Sequence, residues 1–168
     1  MAGYDIETFR NVFETGARSY LFYVVPSFPS GITVTPEASY LVKTASLPTS
    51  NFEELIASWQ GFDYKAAGKR TYDTWSVTFN VDIKATVRKA FVSWMDMILN
   101  PANNRQTMPT TYMRDQTISL LGIDFQPIMT YKLVAAWPSQ VGEVTLDYAD
   151  SAFASFDVTF TYLYYKTS

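Results

Sequence analysis

Two runs of sequence organise the rest of the chain: Ala136-Trp137-Pro138-Ser139-Gln140-Val141-Gly142-Glu143-Val144-Thr145-Leu146-Asp147-Tyr148 and, after a turn, Phe156-Asp157-Val158-Thr159-Phe160-Thr161-Tyr162-Leu163-Tyr164-Tyr165. In the second run, aromatic and β-branched residues alternate with mostly polar ones, which predicts a half-buried strand over Ala154–Tyr165. The ten residues from Phe156 exceed the usual strand length of about five or six. Such a strand indicates pairing over a long distance, including pairing with another chain.

Several other strands are predicted. The clearest is Trp75–Ile83, in which every second residue is large and apolar. The others are Ser19–Val25, Tyr40–Ala45, Thr117–Leu121, Thr130–Ala136 and Glu143–Tyr148. Of these, Ser19–Val25 is expected to be buried on both sides, because it is a continuous apolar run. Trp137 and Pro138 are predicted to set a corner between strands, and Gly142 to supply a bulge or a close backbone approach.

Two helices are predicted. The first is Tyr4–Glu14, in which apolar residues at positions 6, 9 and 13 share a face that is expected to dock on its own domain. The second is Lys84–Leu99, with Asp82 as a candidate N-cap and one apolar stripe that would cover one face of a sheet. That stripe consists of Val87, Phe91, Trp94 and Ile98. The polar residues 102–111 predict a mobile surface loop.

Composition narrows the class of protein. The 168 residues suit a single domain over 1–168, and the 17% aromatic content fits either a β core or a large subunit interface. A net charge of −3 and a pI of about 4.9 lack the basic footprint of a nucleic-acid-binding protein. No signal peptide or membrane-spanning run is recognisable, so we expect synthesis in the cytoplasm.

Catalytic chemistry has few candidates. The absence of His and Cys excludes Ser-His-Asp triads, Cys-His pairs and histidine or thiolate metal sites within one chain. Paired carboxylates remain available for acid–base chemistry. The candidates are Glu53, Glu54, Asp124, Glu143, Asp147 and Asp150. Each is more simply explained as a solvated turn or strand-edge residue. We therefore predict no enzyme, no cofactor, and no catalytic, cofactor-binding or metal-binding residue.

The basic groups also favour a structural interpretation. Lys65, Lys69 and Arg70 form a small group that suits contact with phosphate, but no second basic cluster surrounds them. We favour surface or inter-subunit ion pairing, with Arg70 pairing with Asp73 or with an acidic residue on a neighbour.

Two sequence blocks carry a resemblance to a known family. Trp137-Pro138-x-x-Val141-Gly142-Glu143-x-x-Leu146-Asp147-Tyr148, followed by a long strand, resembles the end of the tail tube protein of contractile-tailed (myovirus) bacteriophages. Gly68-x-Arg70-Thr71-Tyr72-Asp73-x-Trp75-x-Val77-Thr78, followed by a helix, resembles another block of that family. The blocks stand in the family's order and together cover about half of the chain.

The resemblance implies a fold. It is mainly β, a β-sandwich or open β-barrel of the phage tail tube type, with one flanking α-helix and a short N-terminal helix. Locally, Phe52, Leu55, Ile56 and Trp59 have helical spacing. The resemblance instead implies that residues 49–68 form an extended hairpin that reaches neighbouring subunits. It also places the N-terminal region near an inter-subunit or inter-ring contact.

The resemblance also implies a function as a structural virion protein. Such a subunit assembles into stacked hexameric rings that form the inner conduit for DNA ejection inside a contractile sheath. The implied partners are further copies of the chain, the tail sheath protein, the baseplate, the tape measure protein and the tail terminator. DNA passes through the lumen without specific binding, and no membrane is involved. On the same resemblance, we expect the chain to be made in the host bacterial cytoplasm and to end in the virion.

Two placements of charge are hypotheses. Part of the net negative charge is expected to face the lumen, because like charge keeps DNA from adhering. The basic side of the second helix is expected to face the sheath. That basic side consists of Lys84, Arg88 and Lys89.

Two alternatives remain. The nearer is the inner tube subunit of a phage-derived contractile injection particle, which is a tailocin or an extracellular injection system. Capsid and terminase genes next to the gene for this chain would argue against that alternative. The other is a lipocalin-like barrel that holds a small apolar ligand in an aromatic interior. It predicts a stable monomer.

Overall fold

One seven-stranded antiparallel sheet forms the body of the chain in the computed structural model, which describes residues 5–14 and 16–168. Its strands are β1 (Phe22–Val25), β2 (Val42–Ala45), β5 (Trp75–Asn80), β8 (Arg114–Leu121), β9 (Pro127–Val141), β10 (Ser155–Thr161) and β11 (Tyr164–Thr167). The sheet order is β1-β8-β9-β10-β5-β2, with β11 paired to β9. Two separate hairpins are β3 (Ser50–Trp59) with β4 (Phe62–Tyr72), and β6 (Leu99–Asn100) with β7 (Arg105–Gln106).

The helices are few. They are α1 (Ile6–Glu14), α2 (Thr86–Ile98) and the one-turn α3 (Pro109–Tyr112), with a 3-10 helix at Pro36–Leu41. Of these, α2 is the flanking helix that the sequence predicts. Within residues 5–14 and 16–168, no helix combines the length and hydropathy needed to span a lipid bilayer.

The core lies between α2 and one face of the sheet. Phe91 and Trp94 of α2 are completely buried, and Phe91 lies 5.2 Å from Phe79 of β5 and 5.9 Å from Phe160 of β10 between ring centroids. The Trp94 indole N–H donates to the Tyr112 carbonyl oxygen at 2.9 Å, which satisfies its polar group inside the core. The predicted alternation is confirmed within β5 and β10, whose apolar residues all face this core. The predicted strand Trp75–Ile83 is shorter than expected, because it ends at Asn80 and leaves Ile83 exposed.

The two ends of the sheet approach each other. Residues of β1 and its preceding turn, among them Tyr20 and Phe22, and residues of β2, among them Val42 and Thr44, line one depression of about 620 Å³. Since β1 and β2 are the terminal strands of the sheet, the curved sheet is an open barrel with a gap. The predicted fold class is therefore confirmed.

A long bent strand replaces the predicted corner at Trp137 and Pro138. Both residues lie inside β9, which runs without interruption over fifteen residues. The strand bulges at Ala135, which has φ of +55°, and this bulge lies opposite the break between β10 and β11. The single predicted strand Ala154–Tyr165 is therefore divided at 162–163, and β10 and β11 pair with successive parts of β9.

Other boundaries differ from those predicted. The expected strand Glu143–Tyr148 is an irregular segment with an exposed Leu146 and Tyr148, because no strand of the chain pairs with it among the described residues. The run Ser19–Val25 shrinks to β1, an edge strand in which only Val24 is buried. The start of Tyr40–Ala45 belongs to the 3-10 helix. Residues 102–111 contain β7 and the first three residues of α3, and they are not one loop.

Candidate assembly surfaces

The β3–β4 hairpin confirms the extended structure implied for residues 49–68. Its tip is a two-residue turn at Gln60 and Gly61, both at positive φ (47° and 81°), which is the geometry that matches the twist of a hairpin. Cross-strand pairing places Trp59 beside Phe62, Ala57 beside Tyr64 and Leu55 beside Ala66. Because alternate residues of a strand point to the same side, these six side chains share one face of the hairpin.

That face, which we call the apolar hairpin face (Leu55, Ala57, Trp59, Phe62, Tyr64 and Ala66), is uncovered in the isolated chain. The exposed fractions of Leu55, Trp59, Phe62 and Tyr64 are 60, 73, 71 and 64%. A hairpin of two strands is at best marginally stable in water without a further layer on its apolar face. The hairpin therefore needs a partner surface.

The opposite hairpin face is mostly polar, although it includes Ile56, which is 56% exposed. Lys65 forms an ion pair with Glu54 at 3.3 Å, and the Ser58 hydroxyl donates to an Asp63 carboxylate oxygen at 2.5 Å. The hairpin is thus amphipathic, although neither strand is paired with the main sheet. The helical spacing of Phe52, Leu55, Ile56 and Trp59 favours a helix in this segment. The period of two in both strands and the Gln60-Gly61 turn are the sequence features that indicate a hairpin instead.

Aromatic contacts tie the hairpin base to β11. The Arg70 guanidinium donates to the Ser50 hydroxyl at 2.9 Å and lies 5.2 Å above the Tyr72 ring and 5.7 Å above the Tyr165 ring. The predicted pair between Arg70 and Asp73 does not form. Asp73 instead accepts hydrogen bonds from Thr49 and Asn51. Arg70 anchors the base of the hairpin through its contacts with the Tyr72 and Tyr165 rings.

Helix α1 presents a second uncovered apolar face. None of its residues is buried, and Ile6, Phe9 and Phe13 are exposed by 78, 61 and 64%. The rings of Phe9 and Phe13 pack against each other, with centroids 4.5 Å apart. The expectation that this helix docks on its own domain is therefore wrong for the isolated chain. Tyr4, the predicted first residue, lies outside the described residues.

The outer face of β2, β5 and β10 is rich in hydroxyl groups. Thr44 donates to the Thr78 hydroxyl at 2.8 Å, and Thr78 donates to an Asp157 carboxylate oxygen at 2.6 Å. Ser76 and Thr159 lie 3.4 Å apart in the next row. We call this the hydroxyl face (Thr44, Ser76, Thr78, Asp157 and Thr159); it lines a shallow concavity of about 1050 Å³.

The three residues of the predicted basic side of α2 differ in their exposure and contacts. Lys84 and Lys89 are exposed, as predicted. Arg88 is not available for an external partner, because its guanidinium donates to the Gly142 carbonyl at 2.8 Å and lies 5.2 Å above the Phe156 ring. Gly142 itself makes the predicted close approach: its N–H donates to the Asp157 carbonyl at 2.6 Å.

Asp82 lies just before α2 but is not its N-cap residue, since the helix begins at Thr86 and the N-cap is Ala85. Burial opposes ionisation of Asp82, but the nearby Thr86 backbone N–H and hydroxyl and the Val87 N–H hold the pKa of that carboxyl below its usual value. The carboxylate therefore stays charged near the positive end of the helix dipole.

The six candidate carboxylates are not brought together, and Glu143 borders the concavity that the hydroxyl face lines. Glu53 and Glu54 lie on the hairpin, whereas Asp124 accepts the Gln126 N–H in the β8–β9 turn. Asp147 and Asp150 accept the N–H groups of Ala149 and Ala152. In the part of the chain that the structure describes, no three acidic side chains group as they would around a metal ion.

The comparison with known proteins agrees with this geometry. Residues 16–168 match the family described as "Phage tail tube protein". The tail tube protein of Serratia phage KSP90 is 27% identical over 123 residues, which are 73% of this chain and 70% of that protein. Tail tube protein gp19 of Enterobacteria phage T4 is 25% identical over 166 residues, covering 96% of this chain and 99% of that protein.

Solved structures share the fold. A chain of the anti-feeding prophage baseplate has a TM-score of 0.69 at 15% identity, with 92% of this chain and 96% of that chain covered. A chain from the sheath-tube complex of an extracellular contractile injection system, in the extended state, has a TM-score of 0.61 at 17% identity, with 96 and 97% covered. The resemblance carried by the two sequence blocks is confirmed.

Proposed function

The chain belongs to the phage tail tube protein family, and from that membership we propose that it forms six-membered rings that stack into the tube of a contractile tail. Membership itself makes the chain a structural component of the virion and not an enzyme. The single domain over 1–168, the hexameric ring and the lumen that conducts DNA are parts of the proposal.

One observation carries the proposal: the isolated chain leaves two amphipathic elements without a covering layer. The apolar hairpin face and the apolar side of α1 both carry large side chains that are more than half exposed. Monomeric proteins rarely expose contiguous apolar patches of more than a few hundred Å². Repeated contact between copies removes these surfaces from water.

The free edges of the sheet support a ring. β1 and β2 end the sheet, and each offers unpaired backbone groups that template strand pairing. Pairing between the sheets of neighbouring copies closes these edges and produces one continuous barrel. In such a barrel, α2 lies outside and the bare hydroxyl face lies inside.

A hydroxyl-lined lumen suits the passage of DNA. The concavity that the hydroxyl face lines carries two carboxylates, Asp157 and Glu143, and no cation, so it offers phosphate no ion pair. DNA then meets neutral groups and weak repulsion. This placement refines the hypothesis of a charged lumen, because most of the surface is uncharged and the negative charge is sparse.

The proposed partners follow the geometry of the tube. The outward surface of α2, with Lys84 and Lys89, faces the tail sheath protein, and the ends of the tube meet the baseplate and the tail terminator. The similarity to a chain of a sheath-tube complex supports this arrangement. The tape measure protein and then DNA occupy the lumen.

Negative-stain electron microscopy with light scattering tests the proposal. We expect hollow rings or tubes with six-fold end views, formed by the purified chain or after addition of baseplates as nuclei. A monodisperse monomer that does not polymerise even on baseplates contradicts it.

The second candidate is the inner tube of a phage-derived contractile injection particle. The structural likeness to chains of such particles favours it, whereas the sequence matches are to phage proteins. Genes for capsid and terminase beside this one would assign the chain to a phage.

A further inference from the structure

The two uncovered apolar surfaces of the chain match each other in kind. One is a helix with a single apolar side, and the other is a two-stranded sheet with a single apolar face. Helix on sheet is one of the few layer arrangements that bury both such surfaces. The apolar hairpin face also has small residues, Ala57 and Ala66, between its large ones, which leaves room for the side chains of a helix.

The two surfaces also match in length. Ile6 to Phe13 spans about 11 Å along the axis of α1. Leu55 to Trp59 spans about 13 Å along β3. The aromatic groups concerned are Phe9, Phe13, Trp59, Phe62 and Tyr64, each exposed by 61 to 73%. Together they present on the order of 600 Å² of aromatic surface.

We infer that α1 of one copy packs on the apolar hairpin face of another copy. The described residues give the reason why a second copy is the occupant: they contain both surfaces and cover neither, since no α1 residue is buried and the hairpin face is exposed. The inference rests on the proposed function, because stacked or adjacent copies are what bring the two elements together. It identifies which segment covers the hairpin.

Single-cysteine variants test this contact directly, because the natural chain has no cysteine and any disulfide joins the introduced thiols. Ile6→Cys lies on the apolar side of α1, and Ala57→Cys lies in the centre of the apolar hairpin face. The matched controls are Glu7→Cys and Ser58→Cys. Each control is one residue away in sequence: Ser58 points to the opposite face of its strand, and Glu7 lies about 100° around the helix from Ile6, off the apolar side.

Tubes are assembled from an equal mixture of two single-cysteine variants and mildly oxidised. We expect disulfide-linked dimers from Ile6→Cys with Ala57→Cys, at least about tenfold more than from Glu7→Cys with Ser58→Cys. Because each chain carries one cysteine, a dimer reports contact between copies. Electron microscopy of the same samples reports tube formation independently.

Three outcomes overturn the inference. Tubes that form without the mixed dimer leave the proposed function intact and remove α1 as the occupant. Strong dimers from Ala57→Cys alone show that two hairpins cover each other. A crosslinked monomer from the double variant Ile6→Cys/Ala57→Cys, with no dimer from the mixture, shows that α1 covers its own hairpin. Failure of the unmodified chain to form rings or tubes on baseplates instead contradicts the proposed function.

Discussion

A carboxylate oxygen of Asp115 accepts a hydrogen bond of 3.0 Å from the backbone N–H of Ala135, where β9 bulges with φ of +55°. The other carboxylate oxygen lies 2.9 Å from the Lys132 ammonium group. The Ala135 N–H, followed by Lys132, lowers the pKa of Asp115 despite its partial burial. One side chain of β8 therefore satisfies the backbone group that the bulge of β9 leaves without a ladder partner.

Replacement of Asp115 tests this role. We expect Asp115→Ala to lower the free energy of unfolding by about 1 kcal/mol, a small value because the side chain is partly exposed. Asp115→Asn keeps an acceptor for Ala135 and should lose less. Urea denaturation measures both. Equal losses in the two variants would show that the ion pair with Lys132, and not the bulge, is what matters.

The lowered pKa adds a dependence on pH. Because the folded-state pKa lies below the usual value of about 4, the charge of Asp115 stabilises the fold above about pH 4. This contribution disappears as the pH falls further, through the folded-state pKa. The stability difference between the natural chain and Asp115→Asn should therefore become smaller as the pH is lowered from about 6 to about 2. A difference that grows on acidification would contradict the assignment.

Arg88 should behave differently from its neighbour Lys89. We expect Arg88→Met to cost about 2 kcal/mol, because the apolar stem remains but the hydrogen bond to Gly142 and the contact with Phe156 are lost. Lys89→Met is the control and should change stability by no more than about 0.5 kcal/mol. Thermal and urea unfolding give both values. Equal effects would indicate that Arg88 is a surface residue.

Gln116 is a buried polar residue that holds the segment after β1. Its amide accepts from the Ser27 N–H at 2.9 Å and donates to the Ser27 carbonyl at 2.8 Å. We expect Gln116→Leu to cost about 3 kcal/mol, because both Ser27 groups lose their partner. The control is Thr117→Val on the opposite side of β8, with a change within about 0.5 kcal/mol. Hydrogen exchange at Ser27 should accelerate in the first variant only.

The raised pKa of Tyr162 predicts a loss of folding stability at high pH. Burial, followed by the negative charge that Tyr165 and Asp73 would carry nearby, raises the pKa of Tyr162 to about 12 from 10.0. The unfolded chain loses this proton first, so the folded state becomes less stable as the pH rises from about 10 towards about 12. Tyr162→Phe should have a smaller decrease over that range, whereas Tyr148→Phe, fully exposed, should match the natural chain.

The core could be predicted from the sequence because its signals are local. Trp75, Val77 and Phe79 alternate, and Val87, Phe91 and Trp94 repeat with helical period, so each set identifies its own face. Gly142 was predicted for a similar reason, since a glycine within a strand pattern indicates close backbone approach.

The predictions that are wrong concern segments whose structure depends on residues far away in the sequence or on another chain. Glu143–Tyr148 has a strand pattern, but a strand needs a paired neighbour, and residues 5–14 and 16–168 provide none. Pro138 suggested a corner, yet it occupies a buried position in β9 beside Phe160, where the register shifts. Two further contacts join segments that are distant in sequence, so the periodicity of either segment cannot predict them. They are the contact between Asp115 and Ala135 and that between Gln116 and Ser27.

The surfaces for assembly were predicted only in part. The hairpin was anticipated through family resemblance, against a local pattern that favours helix. The apolar side of α1 was recognised, but its expected cover was the same domain. Periodicity identifies an apolar face and gives no information about which surface buries it.

The position of Trp59 at the hairpin tip has an optical consequence. Of the four tryptophans, Trp75 and Trp94 are buried, whereas Trp59 is 73% exposed. Its indole in the free chain emits at the longer wavelength typical of contact with water, and burial against another copy would shift that emission to the blue. The chain thus carries its own fluorophore at the surface proposed for assembly, and tube growth can be followed in real time without a dye or a tag.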